Sequence, residues 1–141
     1  MIENEMKLTF RANSENEHLA RMVIAAFVIR LDPTLEEIAD LKTAVSEAVT
    51  NCIIHGYREG QGEILLRSWI EERMVHVEVI DFGVGITDIE KAMEPMYTSR
   101  EDLHRSGMGF AFMEAFMDEL EVTSEPEHGT RVYMNKKLGV N

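Results

Sequence analysis

The sequence predicts an α+β fold, a two-layer sandwich with helices on one face of a sheet. Three observations lead there. Strand-like alternation stands at the start, middle and end of the chain; four of the five strand segments pair into two hairpins; and segments with helical spacing lie between them. At 141 residues and 45% hydrophobic, the chain suits one compact unit over 1–141 with a sizeable core.

The elements follow in order. Glu5 to Ala12 sets Met6, Leu8 and Phe10 on one side and reads as a strand. Ser14 and Glu17 have capping-box spacing, so a helix rich in Ala, Val, Ile and Phe should start there and run to about Leu31. Asp32-Pro33 ends it and opens the next helix. Thr34 and Glu37 form a second box, which leaves the cap of that helix open between Pro33 in the first turn and Thr34. The second helix should continue to His55 with Gly56 as its stop, on an apolar stripe of Leu35, Ile38, Leu41, Val45, Ala48, Val49 and Cys52. Glu59 to Gly62 is a loop. Glu63–Glu71 and Val75–Asp81 read as a hairpin turning near Glu72-Arg73. From Phe82 to Met108, three glycines, Pro95 and scattered charges interrupt any period, so a long loop is expected, with one short helix near Asp88 to Met93. Phe110, Met113, Phe116, Met117 and Leu120 mark a short apolar helix. Glu121–Ser124 and Thr130–Lys136 form a last hairpin around Glu127-His128-Gly129.

Charge and composition narrow the function. Asp and Glu number 26 against 14 Lys and Arg, for a net charge of −12, which disfavours nucleic acid and suits a basic protein partner. An acidic chain also repels a nucleotide at long range, so a real nucleotide site must gather metal, arginine and backbone N–H groups locally. Cys52 is the one cysteine, so no intrachain disulfide forms, and a reducing cytoplasm fits. No signal-peptide pattern opens the chain, and no apolar run approaches the ~20 residues of a membrane span, so no membrane association is expected.

Four short strings carry chemistry. Glu47 and Asn51 are four apart and share a helix face. A lone Glu and Asn at this spacing more often mark a solvated face. Here Ile54 shares the face, and Asn is a poor helix former. The functional reading gives Asn51 an oxygen for Mg²⁺ and makes Glu47 the acceptor of a proton from an attacking hydroxyl. Asp81-Phe82-Gly83-Val84-Gly85 ends a strand, where a buried carboxylate accepts a bond from an adenine amine and two glycines admit a flat ring; an ordinary turn reads the same way. Arg105-Ser106-Gly107-Met108-Gly109 precedes the short apolar helix. Glycine N–H groups at a helix start and a fixed cation suit phosphate, and a hinge before a core helix fits the string as well. Gly129-Thr130 opens the last strand, with a hydroxyl for adenine or for Asp81, or simply a threonine where strands favour one. The five histidines show no metal-ligand spacing, Trp69 reads as packing, and Cys52 reads as inert core.

The ordered set Glu47…Asn51, Asp81…Gly83…Gly85, Gly107…Gly109 and Gly129-Thr130 resembles the N, G1 and G2 boxes of the GHKL, or Bergerat-fold, ATPase/kinase superfamily, which includes gyrase, histidine kinases and MutL. Ser14–Glu17, Ala25-Ala26-Phe27, Ser46–Asn51 with Ile53–Tyr57, and Arg105–Phe110 through Met117-Asp118 are similar to the small anti-sigma factor serine kinases, in their sporulation branch. The resemblance implies a mixed, mainly antiparallel sheet, ATP or ADP and Mg²⁺ as ligands, and a homodimer. It implies inhibition of a sporulation sigma factor and phosphorylation of a serine in an anti-anti-sigma protein. By position, it makes Glu47 the general base and Asn51 the Mg²⁺ ligand. Asp81, Gly83, Gly85 and Thr130 fall on the adenine side, Gly107, Met108 and Gly109 over the phosphates, and Arg105 in contact with them. Ile86 to about His104 becomes the ATP lid, and Arg21 a partner contact. Phe82, Thr87, Tyr97 and Ser99 depart from the family's wording. A general-stress anti-sigma kinase and a binding module that never transfers phosphate are the alternatives. A histidine kinase needs a separate phosphoacceptor domain, and gyrase-type hydrolases couple a longer lid to further domains.

Overall fold

The computed structural model describes residues 1–57, 62–83, 109–125 and 128–139, with the backbone alone for 55–57. The strands are β1 (Asn4–Arg11), β2 (Glu63–Glu71), β3 (Met74–Asp81), β4 (Glu119–Glu125) and β5 (Gly129–Lys137). The helices are α1 (Asn16–Val28), α2 (Leu35–Asn51) and α3 (Gly109–Phe116), with a short 3₁₀ turn at Ile29–Leu31 and a π-helical segment at Cys52–Tyr57. The sheet runs β1-β2-β3-β5-β4, and each of its pairings is antiparallel. Strand alternation builds one buried face: Ile64, Leu66 and Ile70 of β2, Val75, Val77 and Val79 of β3, and Val132 and Met134 of β5. The helices cover that face. α2 lies between α1 and α3 and packs on both, with Leu41, Val45, Ala48 and Val49 buried against Ala20, Ile24 and Val28 of α1 and Met113 of α3. Burying each large aliphatic side chain contributes about 1.5–3 kcal/mol, which makes this layer contact the main source of cohesion.

The register places the chemistry. Asp81 pairs with Thr130 on one side and Ile64 on the other, so the C-terminal end of β3, the start of β5 and the end of β4 meet at one end of the sheet. Hairpin geometry is secured by Glu72 at φ 55° in the β2–β3 turn and Gly129 at φ 101° where β5 begins.

Four expectations are corrected. The capping box at Ser14 does not form: α1 is capped at Glu15 without a side-chain bond, and the Glu17 carboxylate turns inward instead. Thr34 caps α2 in a complete box with Glu37, the hydroxyl accepting from Glu37 N–H at 3.0 Å and the Glu37 carboxylate accepting from Thr34 N–H at 2.8 Å. α2 ends at Asn51, because the chain widens into a π turn before Gly56 is reached. Leu35, expected on the buried stripe, is 88% exposed, since α2 meets its neighbours only from Ile38 and Leu41 onward. Leu120 belongs to β4, so α3 is shorter than its apolar pattern. The expected helix near 88–93 lies outside the described residues.

Candidate functional site

α2 brings the first cluster together. Glu47 and Asn51 project from one side of its last turns, and neither stands on a solvated face: both are half-buried. α3 begins directly over them. A methyl group placed on Gly109 would lie 3.1 Å from Asn51 Nδ2, 3.3 Å from Asn51 Oδ1 and 3.3 Å from Glu47 Oε2. The carboxylate, the carboxamide and the first backbone unit of α3 therefore share one small space, which only a residue without a side chain leaves open. Asn51 Nδ2 is fully buried there and has no hydrogen-bond partner among the described residues. Buried polar groups are ordinarily paired, so this donor suits an acceptor brought by a ligand. The carboxamide oxygen is the type of hard donor that Mg²⁺ takes, and N–H groups at a helix N-terminus suit a phosphate oxygen. The donor set thus fits a magnesium-bound nucleotide.

The second cluster surrounds Asp81, which is 4% exposed. Its Oδ1 accepts from Gly83 N–H at 3.0 Å. Burial raises its pKa above the ordinary 3.8, and bonds from the Gly83 backbone, the Cys52 thiol and the Thr130 backbone oppose that rise. Cys52 is itself buried, and burial together with the adjacent carboxylate pushes its thiol well above the usual range. Cys52 follows Asn51 directly, so the end of α2 reaches both clusters: Asn51 lies under Gly109, and the Cys52 thiol touches the carboxylate at the end of β3. Thr130 is buried, and its Oγ1 lies 2.8 Å from Ser124 Oγ across the β4–β5 hairpin. Gly129 lets these strands close. Any side chain there would strike Asp81 O and come within 2.7 Å of Phe82 Cα. Phe82 itself is 65% exposed at the edge of this cluster.

Arg21 lies apart, on α1. Its Nη2 donates to His18 Nδ1 at 2.5 Å, while its Nε is buried with no partner among the described residues. Gly85, Arg105, Gly107, Met108 and the lid from Ile86 to His104 lie outside the described residues. Three contacts lie beyond what the sequence shows: the Cys52 thiol on Asp81, the Ser124 hydroxyl on Thr130, and the Glu17 carboxylate on Ser46 and Thr50; Cys52 is otherwise the buried core residue expected. The register Ser124↔Thr130↔Asp81 was the signal for Ser124.

No helix among the described residues is long and apolar enough to cross a membrane. Comparison with known proteins matches the geometry. Residues 10–136 fit a family profile described as a histidine kinase-like ATPase domain. The chain is 57% identical over 140 residues to the anti-sigma F factor of Clostridium acetobutylicum, covering 99% of this chain and 98% of that protein. It is 56% identical over 138 residues to the anti-sigma F factor of Caldanaerobacter subterraneus, covering 98% and 96%. Among solved structures, the RsbU and RsbW domains of Rv1364c from Mycobacterium tuberculosis superpose with a TM-score of 0.70 at 21% identity; that match covers 96% of this chain, which spans 32% of the longer one. The catalytic domain of the histidine kinase ThkA gives 0.60 at 14% identity, covering 94% and 96%. The two structures share the fold. With a profile over nearly the whole chain and relatives above half identity across their full length, this chain belongs to the anti-sigma F factor family of histidine kinase-like ATPase domains.

Proposed function

We propose that this protein is an anti-sigma factor that is also a serine-protein kinase. It binds MgATP between the α2–α3 cluster and Asp81, transfers the γ-phosphoryl group to a serine of an anti-anti-sigma protein, and sequesters a sigma factor of the sigma F type as a cytoplasmic homodimer. The observation that carries this reading is the convergence of the Glu47 carboxylate, the Asn51 carboxamide and Gly109 within one small space.

In this reading the Glu47 carboxylate takes the proton from the substrate serine as its oxygen bonds to phosphorus and the bond to the leaving ADP oxygen breaks. Mg²⁺, held by Asn51, supplies charge neutralisation on the phosphate oxygens. Asn51 Nδ2 and the N–H groups opening α3 fix the triphosphate, and Arg105 with Gly107 and Met108 completes the phosphate side. Asp81 accepts from the adenine amine. Thr130 and Ser124 border the base, and Gly83 and Gly85 let the ring approach the backbone. Positioning and electrostatics supply most of such a rate enhancement. Arg21 contacts the protein partners.

The test is incubation with MgATP and the anti-anti-sigma protein, followed by detection of phosphoserine, with Glu47→Gln in parallel. Wild-type protein should phosphorylate its partner, and Glu47→Gln should bind MgATP and sigma factor yet transfer nothing. Full activity in that variant removes Glu47 from the chemistry. Nucleotide-dependent partner binding without any phosphoserine makes the protein a binding module.

A further inference from the structure

The buried face of α1 repeats at Glu17, Ala20, Ile24 and Val28. Three of these are apolar and pack on α2, and the one level with the site is a carboxylate. Glu17 is 7% exposed. Its Oε1 accepts from Ser46 Oγ at 2.5 Å, and its Oε2 accepts from Thr50 Oγ1 at 3.2 Å. Ser46 and Thr50 are successive turns of α2, and each directly precedes a site residue, Glu47 and Asn51. Burying a carboxylate at a helix interface is costly, and an apolar residue would pack the same space with less penalty. Cohesion therefore does not explain this group, whereas its geometry does: one rigid fork holds two turns of α2 and fixes their rotation and axial height.

We propose that Glu17 is a positioning residue, which clamps Ser46 and Thr50 so that Glu47 and Asn51 point into the space beneath Gly109. This rests on the assignment of Glu47 and Asn51 given above. The two arms have separate duties. The Ser46 arm sets the carboxylate that takes the proton, and the Thr50 arm sets the carboxamide that holds the metal. Arg21 stands one turn further along α1 from Glu17, so the helix that carries the partner-facing cation also carries the clamp.

The experiment uses the full chain, with MgADP and metal-free ADP in calorimetry, phosphotransfer to the anti-anti-sigma protein, and thermal melts. Glu17→Met keeps the volume and removes both bonds. It should fold, and lose about tenfold or more both in the magnesium-dependent gain in ADP affinity and in transfer rate. Glu17→Gln, which keeps one acceptor and adds a donor for Thr50, should recover most of each loss. Thr50→Val should lower the magnesium-dependent affinity, and Ser46→Ala the transfer rate with affinity held. A Glu17→Met protein with wild-type values of both readouts overturns the proposal. So do losses in Ser46→Ala and Thr50→Val that run in parallel and follow the fall in melting temperature, the mark of simple destabilisation. Should Glu47→Gln transfer phosphate normally, the base assignment fails, and the magnesium-dependent affinity alone still decides Glu17.

Discussion

Replacing Gly109 by alanine separates folding from chemistry in one residue. The new methyl would sit 3.1 Å from Asn51 Nδ2 and 3.3 Å from both Asn51 Oδ1 and Glu47 Oε2. Comfortable contact begins at about 3.5 Å, so the two side chains must retreat by about 0.2–0.4 Å each. The backbone at Gly109 is not left-handed, so alanine adds no backbone strain, and in a helix it is favoured over glycine by up to about 1 kcal/mol. The fold should therefore hold or gain slightly. The site should lose: displacements near 0.5 Å reach the tolerance of a catalytic constellation, and 1 Å costs about a hundredfold. A loss of about tenfold in single-turnover phosphotransfer is expected, equivalent to about 1.4 kcal/mol in the barrier. MgADP affinity should weaken in the same sense. Melting temperature, calorimetric affinity and quench-flow transfer on the same preparation make the measurement. Wild-type transfer and affinity in Gly109→Ala would refute the shared space beneath α3, and a melting temperature lowered by several degrees would place the damage in folding.

Asp81→Asn should act in opposite directions on stability and binding. Burial raises the Asp81 pKa, so its cost to the nucleotide-free fold is absent below the ordinary carboxylate pKa, grows as pH rises towards the raised one and is complete above it. The variant's melting temperature should thus gain on wild type as pH rises above about 4, while ADP affinity falls at least about tenfold. Asn51→Ala should abolish the difference between ADP binding with magnesium and with chelator; an unchanged difference removes its metal role. Thr34→Ala breaks the capping box of α2 and should cost about 1 kcal/mol, or about 3 °C in melting temperature, without altering affinity beyond that loss. Arg21→Glu should weaken sigma-factor capture with nucleotide affinity intact; equal loss of both would indicate misfolding.

The sheet was largely readable from the chain because its signals are local. β2 and β3 alternate cleanly and are joined by two residues, and the observed bounds fall within a residue of the pattern. The helix starts show where local reading ends. Ser14…Glu17 and Thr34…Glu37 have the same spacing, yet only the second closes as a box. Glu17 is drawn away by hydroxyls 29 and 33 residues further along the chain, a competition no short window contains. The same limit hid the role of Cys52, whose thiol meets a carboxylate from a different strand. Asn51 stood out because asparagine is unusual inside a helix, and Glu47, Asp81 and Thr130 because they stand in order with it in one recognisable set. That Gly109 is the roof of the first cluster needed the packing of α3 on α2.

The tight closure at Gly129 bears on how base preference can change over time or in the laboratory. Any side chain at 129 collides with the main chain of Asp81 and Phe82, so that codon is frozen by the sheet itself. The hydroxyls at 124 and 130 are side-chain features on a backbone that stays put. On the proposed reading, a library aimed at accepting guanine in place of adenine should randomise positions 124, 129 and 130 together, and its survivors should all retain glycine at 129.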